Sequence, residues 1–355
     1  MNVRGLIFAL LMLPATAGAQ GFAGLGSGAE GFALPAPDRT LEFPADHAAH
    51  PDFRIEWWYL TSNLTGTDGI SYGVQWTLFR SALAPPTGAD AGWSSPQLWL
   101  GHAALTTPTA HFATERFARD GIGQAGVRLD PFVAYIDEWQ MRGLPDARDP
   151  LDALALSARG PDFAFDLTLT ANGPLVLQGA AGYSVKSSGG EASHYYSQPF
   201  YSVSGDITLP SGSVAVTGQA WLDREWSSQP LAGEQSGWDW VSLHFDDGTK
   251  LMGFQLREDG DGTKTYTSAT FIAADGTATH YANGALRLSA VADARVADRT
   301  VPVKWRVELP ARAIDTVITA LNPNSWMPLS IPYWEGPVTI EGSHPGVGYL
   351  EMTGY

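Results

Sequence analysis

Short segments of alternating apolar and polar residues, separated by tight turns, constrain the fold of this chain more than any other feature. Residues 71–79 (SYGVQWTLF) and 163–169 (FAFDLTL) each place four apolar side chains on one face of a strand. Asp-Gly pairs at 246–248 and 274–276 separate further strand-like segments and favour the turns that match strand twist. The 39 Gly and 24 Pro disfavour long helices, and only residues 311–321 have a helical pattern. The sequence therefore predicts an all-β protein of antiparallel strands.

Two hairpins in the sequence resemble each other. Residues 57–80 and 238–257 each contain a Trp-rich strand, an Asp-Gly turn and a second strand with Gly, an apolar residue and Gln, closed by Arg. The echo predicts two homologous β-domains, 40–228 and 229–355. Domains of this size fit closed or nearly closed barrels. Strands that are apolar on both faces need a second cover, which the other domain would supply, so the domain interface is the predicted apolar pocket.

The first residues have the pattern of an export signal. A positive start that includes Arg4 precedes an apolar segment, and Ala17 and Ala19 satisfy the small-residue rule for signal peptidase. We expect a signal peptide over 1–19, cleaved after Ala19, and a flexible leader over 20–39 that is rich in Gly, Ala and Pro. The predicted location is the periplasm or the medium. No Cys follows the signal, so no membrane anchor is predicted.

Composition excludes several classes of function. The 355 residues are 44% hydrophobic and 16% charged, enough for a large core. A net charge of −16 would repel nucleic acids and anionic membranes, so neither is a predicted partner. The chain has no Cys and its eight His form no ligand pattern, so no metal site is predicted. No nucleophile elbow and no phosphate-binding Gly loop is present, and no cofactor is predicted.

Carboxylates stand beside Trp residues in two short motifs, WLDREW at 221–226 and GWDW at 237–240. They supply the predicted catalytic residues Asp223, Glu225 and Asp239. Indoles would exclude water from these acids, raise their pKa and stabilise a cation over the ring faces. Asp223 is then the predicted proton donor to an alkene or a glycosidic oxygen, with Glu225 or Asp239 orienting water. The alternative is structural, with ion pairs to Arg224 at a strand end.

Similar combinations of acids, aromatic residues and His occur elsewhere in the chain. The predicted ligand-binding residues are Glu56, Trp57, Trp58, Tyr59, His102, Tyr195, Trp221, Trp238, Trp240, Trp334 and Glu335. The Trp residues of EWWYL and GWDW would form an apolar wall. Each position also has a structural interpretation, because Trp is common in cores and a lone His in an apolar strand is often a satisfied core residue.

Several of these segments together resemble a known family. The segments EWWYLTSNL, GVQWTLFR, GHAAL, WLDREW, GWDW and YWEGPV are similar to those of the AttH-like, carotenoid 1,2-hydratase-related family of secreted two-domain proteins. The likeness spans about residues 40–355. It implies two lipocalin-like (calycin) β-barrels packed together, with a ligand site between or within them. Asp223 falls in the family's Asp-Arg motif, which implies an acid role.

The resemblance also implies a class of ligand. Characterised relatives are cofactor-independent hydratases of carotenoids and isoflavonoids, or fungal pericyclases that fold polyketides. The implied ligand is a bulky hydrophobic small molecule that is terpenoid-, isoflavonoid- or polyketide-like. Carotenoid hydratases tend to carry His where this chain has Asp239, so the resemblance does not extend to carotenoid hydration itself.

Three functions are compatible with these residues. The first is a secreted, cofactor-independent hydratase or hydrolase that acts by acid catalysis on a hydrophobic molecule. The second is a non-catalytic periplasmic carrier of such a molecule. The third is a carbohydrate-active protein, because Trp platforms stack on sugars and paired carboxylates at this spacing suit glycosidases.

Overall fold

The fold is described from a computed structural model. It describes Leu25 and residues 28–87, 92–258 and 264–355, so the predicted signal peptide lies outside the described residues. Residues 28–39 of the predicted leader are attached to the domain that follows. The Ala33 amide donates to the Asp52 carbonyl at 2.9 Å, and the Ala36 amide donates to Nε2 of His194 at 3.3 Å.

The first sheet contains every described strand up to Ser227. Its strands are β1 (Ile55–Gly66), β2 (Ser71–Ala82), β3 (Gln97–Thr106), β4 (His111–Arg119), β5 (Ala125–Leu129), β6 (Phe132–Ile136), β7 (Trp139–Gly143), β8 (Ala153–Arg159), β9 (Ala164–Ala171), β10 (Val176–Leu177), β11 (Tyr183–Val185), β12 (Ala192–Leu209) and β13 (Gly212–Ser227). Their order is β4-β3-β2-β1-β13-β12-β9-β8-β7-β6-β5, with β10 and β11 paired to β12. The neighbouring strands are antiparallel, and the sheet curls into a nearly closed barrel.

The second sheet begins at Gly237. Its strands are β14 (Gly237–Phe245), β15 (Lys250–Arg257), β16 (Thr265–Ile272), β17 (Ala278–Tyr281), β18 (Arg287–Val296), β19 (Arg299–Leu309), β20 (Ile314–Ala320), β21 (Trp326–Met327), β22 (Tyr333–Gly342) and β23 (Gly346–Met352). Their order is β17-β16-β15-β14-β23-β22-β20-β19-β18, with β21 paired to β22. The described part of the chain has three short 3-10 helices, at Ala45–His47, Gly92–Ser94 and Pro310–Arg312. No helix within the described ranges is long and apolar enough to span a membrane.

The two sheets share one strand order. In each, the first strand lies between the second strand and the last strand, as β1 lies between β2 and β13, and β14 between β15 and β23. The two hairpins that resemble each other in sequence are β1–β2 and β14–β15, so they occupy equivalent places. The prediction of an all-β fold with two lipocalin-like antiparallel barrels is confirmed.

The helical turn predicted near 311–321 is limited to the start of that segment. Only Pro310–Arg312 forms a 3-10 turn, and β20 (Ile314–Ala320) then pairs with β19 and β22. The sequence of β20, IDTVITA, is rich in residues that are branched at Cβ, such as Val317 and Ile318. Branching at Cβ favours the extended backbone, and pairing with two neighbouring strands outweighs the weak helical pattern.

Alternation along the strands separates two barrel cores from an interface. The apolar face of β2, with Val74 and Trp76, is buried in the core of the first barrel. Val241 and Leu243 of β14 are buried in the core of the second barrel. A third apolar cluster takes side chains from both sheets, including Tyr59, Trp221, Trp240, Phe254 and Tyr349. The two barrels are therefore packed through a shared apolar layer.

Gly73 lies at a close contact between the two barrels. A Cβ atom placed on it would lie 2.5 Å from Cγ of Pro337 and 2.8 Å from the hydroxyl oxygen of Tyr349, both in the second sheet. We expect Gly73→Ala to lower the free energy of unfolding by about 1–3 kcal/mol, because overpacking forces the two barrels apart. Urea unfolding measures this loss.

Gly253, which has the matching place in the sequence pattern of the second hairpin, is the control for Gly73. The Cβ of Gly253→Ala would meet the end of the Leu286 side chain at 2.7 Å, inside one barrel. We expect a smaller loss, because a side-chain end can move while a Pro ring on another barrel cannot. An equal loss for both variants would contradict the assignment of Gly73 to the barrel contact.

Candidate ligand-binding cavity between the barrels

A cavity of about 320 Å³ lies where the two barrels meet. The first barrel contributes side chains from β1, β2, β3, β4, β12 and β13, and the second contributes side chains from β14, β15, β22 and β23. Most of the wall is apolar and aromatic. Phe117 and Ile331, both also solvent-exposed, lie at its mouth. A cavity of this volume is at the lower end of the range for small-molecule sites.

Strand alternation decides which residues of the EWWYL segment reach the cavity. Trp57 and Tyr59 of β1 line it, whereas Glu56 and Trp58 point into the first barrel, where they are buried. The neighbouring β13 follows the same rule. Asp223 is directly opposite Tyr59 in the register, so both side chains lie on the cavity side of the sheet. Successive side chains of a strand point to opposite faces, so every second residue of the motif is excluded.

Eight of the fourteen residues predicted to form the site line this one cavity. They are Trp57, Tyr59, His102, Tyr195, Asp223, Glu225, Trp238 and Trp240. The other six do not line it, and they are Glu56, Trp58, Trp221, Asp239, Trp334 and Glu335. Residues that are far apart in sequence therefore meet in one cavity between the barrels, as predicted, but six of the predicted residues lie outside it.

Asp223 is buried against the aromatic wall and holds three hydrogen bonds. The Tyr195 hydroxyl donates to Oδ2 at 2.5 Å, and the Trp221 indole N–H donates to Oδ1 at 2.6 Å. The Ser197 hydroxyl donates to the same Oδ1. Burial raises the pKa of Asp223 to about 7, despite the opposing effect of these hydrogen bonds. The carboxyl is thus a proton donor poised near neutrality.

Glu225 is two residues farther along β13 and also lines the cavity, but it has a cation partner. Nζ of Lys186 is 2.8 Å from Oε1 of Glu225, and the Ser193 hydroxyl donates to the same carboxylate. The side chains of Lys186 and Glu225 are both buried. The cavity therefore holds an ion-paired carboxylate beside the acid Asp223.

A third carboxyl, Glu351 of β23, comes from the second barrel and was not predicted. It lines the cavity and accepts a hydrogen bond from the Trp238 indole N–H at 2.5 Å. Burial raises the pKa of Glu351, its hydrogen bonds lower it, and the nearby charges of Asp223 and Glu225 raise it. The net result is a pKa of about 7. The cavity therefore presents two weakly acidic carboxyls, one from each barrel.

Glu335 lies behind the cavity wall and shares Tyr59 with Glu351. The Tyr59 hydroxyl donates to Glu335 and is also hydrogen-bonded to Glu351. Burial and the charge of Glu351 raise the pKa of Glu335 well above its usual range.

His102 joins the wall through a second tyrosine that was not predicted, Tyr333. Nδ1 of His102 and the Tyr333 hydroxyl are 2.9 Å apart and hydrogen-bonded, and both residues line the cavity. Burial lowers the pKa of His102 to about 3, so the ring is neutral near pH 7. Its place in the wall suits a neutral hydrogen-bonding group rather than a cation.

Asp239 is on the face of β14 opposite Trp238 and Trp240. Nη1 of Arg257 lies 2.7 Å from Oδ1 of Asp239, and the Gln255 amide and the Tyr355 hydroxyl donate to the same carboxylate. The side chain is fully buried in this ion pair. Its position does not suit the predicted role of orienting water in the cavity, whereas Glu225 does line the cavity.

Glu56 and Trp58 belong to an ion network inside the first barrel. Glu56 is paired with Arg80 and with Arg224, whose Nη2 is 2.5 Å from Oε2 of Glu56. The Arg224 guanidinium lies 3.6 Å from the ring centroid of Trp58. The predicted pairing of Arg224 with Asp223 or Glu225 is therefore wrong, because alternation places Arg224 on the other face of β13.

Two predicted Trp residues support the structure around the cavity. Trp221 lies in the apolar layer between the barrels and holds Asp223 through its indole N–H. Trp334 is buried in the core of the second barrel, where its indole N–H donates to the Pro323 carbonyl at 2.8 Å. Neither reaches the ligand space.

Metal binding has no candidate among residues 28–87, 92–258 and 264–355. These ranges contain no group of three His, Asp or Glu side chains arranged to hold an ion. The three cavity carboxyls instead bind hydroxyl, indole or ammonium donors from their own walls. The chemistry that this arrangement allows is proton transfer to and from an apolar ligand, with the aromatic faces stabilising positive charge.

The fold and the cavity define a class of protein, a pair of lipocalin-like barrels with a shared acidic and aromatic pocket. The chain belongs to the AttH-like family, which it matches over residues 34–355. It is 35% identical to an AttH protein of known structure from Nitrosomonas europaea, with a TM-score of 0.80 and coverage of 91% of this chain and 99% of that one.

A second solved structure shares the fold at lower identity. Kievitone hydratase from Nectria haematococca is 16% identical, with a TM-score of 0.64, and the match covers 91% of this chain and 98% of that one. A comparison with curated proteins found no match. The family predicted from the sequence motifs is thus confirmed.

Proposed function

We propose that this protein is a cofactor-independent hydratase that adds water to a carbon–carbon double bond of a compact hydrophobic molecule bound between the barrels. The observation that carries the proposal is the pairing of a buried, weakly acidic Asp223 with the ion-paired carboxylate Glu225 on one aromatic wall. Two neighbouring carboxyl groups in opposite protonation states supply an acid and a base.

The reaction needs one acid, one base and one water molecule. The Asp223 carboxyl gives its proton to one alkene carbon, which leaves a cation on the other carbon and a carboxylate on Asp223. A water oxygen attacks the cation while Glu225 takes a proton from that water. The product is an alcohol, and the proton returns from Glu225 to Asp223. Water is the only other reactant consumed.

The aromatic wall supports the intermediate of this reaction. Trp57, Trp238 and Trp240 line the cavity beside the acids, and a positive charge over an indole face is attracted by about 0.5–2 kcal/mol. Kievitone hydratase, which shares the fold, is a hydratase by name. These facts favour hydration over hydrolysis, since hydrolysis gives the wall no alkene-derived cation to stabilise.

The test uses labelled water and a panel of hydrophobic alkenes of a size that the cavity admits. A hydratase adds one water, so the product of the reaction in heavy-oxygen water carries the label in a new hydroxyl group, which mass spectrometry detects. The first compounds to try are those that remain bound when the protein is purified from its own periplasm, the compartment that we propose for it. If all bound compounds are recovered unlabelled and unchanged, the enzyme proposal fails.

The same proposal predicts the pH dependence of turnover. Burial raises the pKa of Asp223 to about 7, so the proton to be donated is present below that pH and is lost above it. We expect the rate to fall about tenfold for each pH unit above about 7, because only the protonated fraction reacts. The rate measured in buffers on both sides of neutrality checks this, and a rate that rises above pH 7 would contradict Asp223 as the acid.

A carrier of a hydrophobic ligand is the second candidate, and the mouth of the cavity favours it. Phe117 and Ile331 are exposed there, so an apolar molecule has an apolar entrance. A carrier binds its ligand tightly and releases it unchanged. Binding with no labelled product over long incubation would select this function over the enzyme.

A further inference from the structure

The cavity carries more carboxyl groups than its own cations neutralise. Asp223 and Glu225 come from the first barrel and Glu351 from the second, and all three line the same space. Lys186 is paired with Glu225. Among the described residues, neither Asp223 nor Glu351 has an ion-pair partner within 4.0 Å. Two buried carboxyls therefore face the ligand space without a counter-ion.

The other charged group at the cavity, Arg54, is held at its edge. Nε of Arg54 donates to the Ser228 carbonyl at 2.7 Å, and Nη2 donates to the Leu25 carbonyl at 2.8 Å. Its guanidinium is thus directed to backbone oxygens. With Asp223 and Glu351 ionised, the three carboxylates exceed Lys186 and Arg54 by one negative charge, which one bound cation would cancel.

The aromatic wall already holds one cation of the chain itself. Nζ of Lys186 lies 4.3 Å from the ring centroid of Phe254 and 4.9 Å from that of Tyr195. Both rings line the cavity, beside Trp57, Trp238 and Trp240. Aromatic rings around an apolar space are the usual binding site for quaternary ammonium groups.

We propose that this cavity binds an apolar organic cation, a tertiary or quaternary ammonium on a compact hydrocarbon, with Asp223 and Glu351 as its counter-ions. The inference rests on the proposed function for its site and adds the charge and the class of the ligand. After Asp223 has protonated an alkene, the cavity contains a carbocation beside a carboxylate. An ammonium beside the same carboxylate reproduces that state, and enzymes bind such analogues more tightly than their substrates.

Binding of a permanent cation should release protons from the protein. Burial raises the pKa of both Asp223 and Glu351 to about 7, so a fraction of each is protonated at neutral pH. A bound cation favours their ionised forms and lowers both pKa values. By linkage, the affinity for the cation rises with pH, which is opposite in sign to the predicted pH dependence of turnover.

Several other groups face these two carboxyls. Next to Asp223 are Glu225, Tyr195, Ser197 and Trp221. Next to Glu351 are Glu335, Tyr59 and Trp238, and beyond them Tyr333 and Tyr349. Burial raises the pKa of these tyrosines and lowers that of His102, so each keeps one charge state near pH 7. Burial and the charge of Glu351 raise the pKa of Glu335 above its usual range. Asp223 and Glu351 line the cavity and have pKa values of about 7, so they are the carboxyls whose charge a bound cation would change most.

The test compares benzyltrimethylammonium with neopentylbenzene, its uncharged carbon isostere, by Trp fluorescence and calorimetry. The ammonium cannot titrate, so any proton released comes from the protein. We expect its affinity to rise about tenfold between about pH 6 and about pH 8 for each carboxyl with a pKa near 7 that must ionise. Calorimetry in two buffers of different ionisation enthalpy should detect the released protons, and the isostere should bind independently of pH.

Variants assign the effect to the two carboxyls. Asp223→Asn combined with Glu351→Gln should abolish the pH dependence for the ammonium while the isostere still binds, which also reports an intact cavity. Each single variant should remove part of the proton release that accompanies ammonium binding. Asp315→Asn, in an exposed ion pair with Arg306, is the control and should leave the proton release unchanged.

Two results would overturn the inference. One is an affinity for the ammonium that does not change with pH, and the other is an isostere that binds more tightly than the ammonium at pH 8. The proposed hydratase is judged separately, by the label in the product. An unlabelled product with pH-dependent ammonium binding would reject the hydratase and keep the cation site.

Discussion

Replacing Asp223 by Asn is expected to lower turnover about 10²–10⁴-fold, the usual contribution of a general acid. The amide cannot donate a proton to carbon. Its oxygen can still accept hydrogen bonds from Trp221 and Ser197, which donate to Oδ1, and its NH2 group would replace Oδ2, where the Tyr195 hydroxyl can turn to accept. The shape and the apolar wall of the cavity are retained. The affinity for the uncharged alkene substrate should therefore change little, and a comparison of turnover with substrate binding on the same preparation checks both expectations.

Asp239→Asn is the matched control for Asp223→Asn. It also removes a buried carboxylate, but one that is paired with Arg257 on the opposite face of β14 and away from the cavity. We expect it to lower stability and to leave turnover per folded molecule unchanged. Turnover that survives in Asp223→Asn but is lost in Asp239→Asn would reverse the assignment of the acid.

Replacing Arg224 by Ala is expected to lower the free energy of unfolding by about 3–5 kcal/mol, because it breaks a fully buried ion pair with Glu56 and leaves Arg80 to balance that carboxylate. Arg224 and Arg80 both pair with Glu56, and the three side chains are almost fully buried in the first barrel. The variant also loses the guanidinium stacked on Trp58. Urea unfolding followed by Trp fluorescence measures the loss.

An exposed ion pair is the control for Arg224→Ala. Arg306 and Asp315 are joined at 2.7 Å with both side chains about half exposed, so Arg306→Ala should lower the free energy of unfolding far less than Arg224→Ala. Similar losses for the two Arg variants would show that the network in the barrel contributes no more than a surface pair.

The buried network also predicts a loss of stability in acid. Burial alone would raise the pKa of Glu56, but Arg224 and Arg80 hold it well below its usual value. A carboxyl whose pKa is lower in the folded state stabilises the protein above its unfolded pKa, and this contribution is lost as the pH falls toward the folded pKa. Removing Glu56 as Glu56→Gln should reduce the sensitivity to acid while lowering stability at neutral pH.

Part of the candidate site was predictable because the period of a strand is independent of its surroundings. The Trp residues of WDW were assigned to one face, and Trp238 and Trp240 do line the cavity together. The same rule places Asp239 on the other face and separates Glu56 from Trp57. A strict use of alternation would therefore have excluded Asp239 and Glu56 from the cavity without any structure.

Other members of the site leave no local signal in the sequence. Glu351 and Tyr333 lie on different strands of the second barrel, far along the chain from Asp223, and no motif links them to it. Lys186 follows β11 in a segment with no regular pattern, yet its ammonium is paired with Glu225. Only the packing of one barrel against the other brings these groups to one cavity.

The sequence by itself determined the all-β class, the duplicated hairpin and the faces of the strands, because hydrophobic alternation and turn chemistry act over a few neighbouring residues. The tertiary structure alone decided which acids lose water and which gain a cation. The pKa of a carboxyl depends on everything within a few ångströms of it in space, and those neighbours come from strands that are distant in sequence. Asp223 and Glu225 are two residues apart in one motif. Burial nevertheless raises the pKa of Asp223 to about 7, whereas Glu225 forms an ion pair with Lys186.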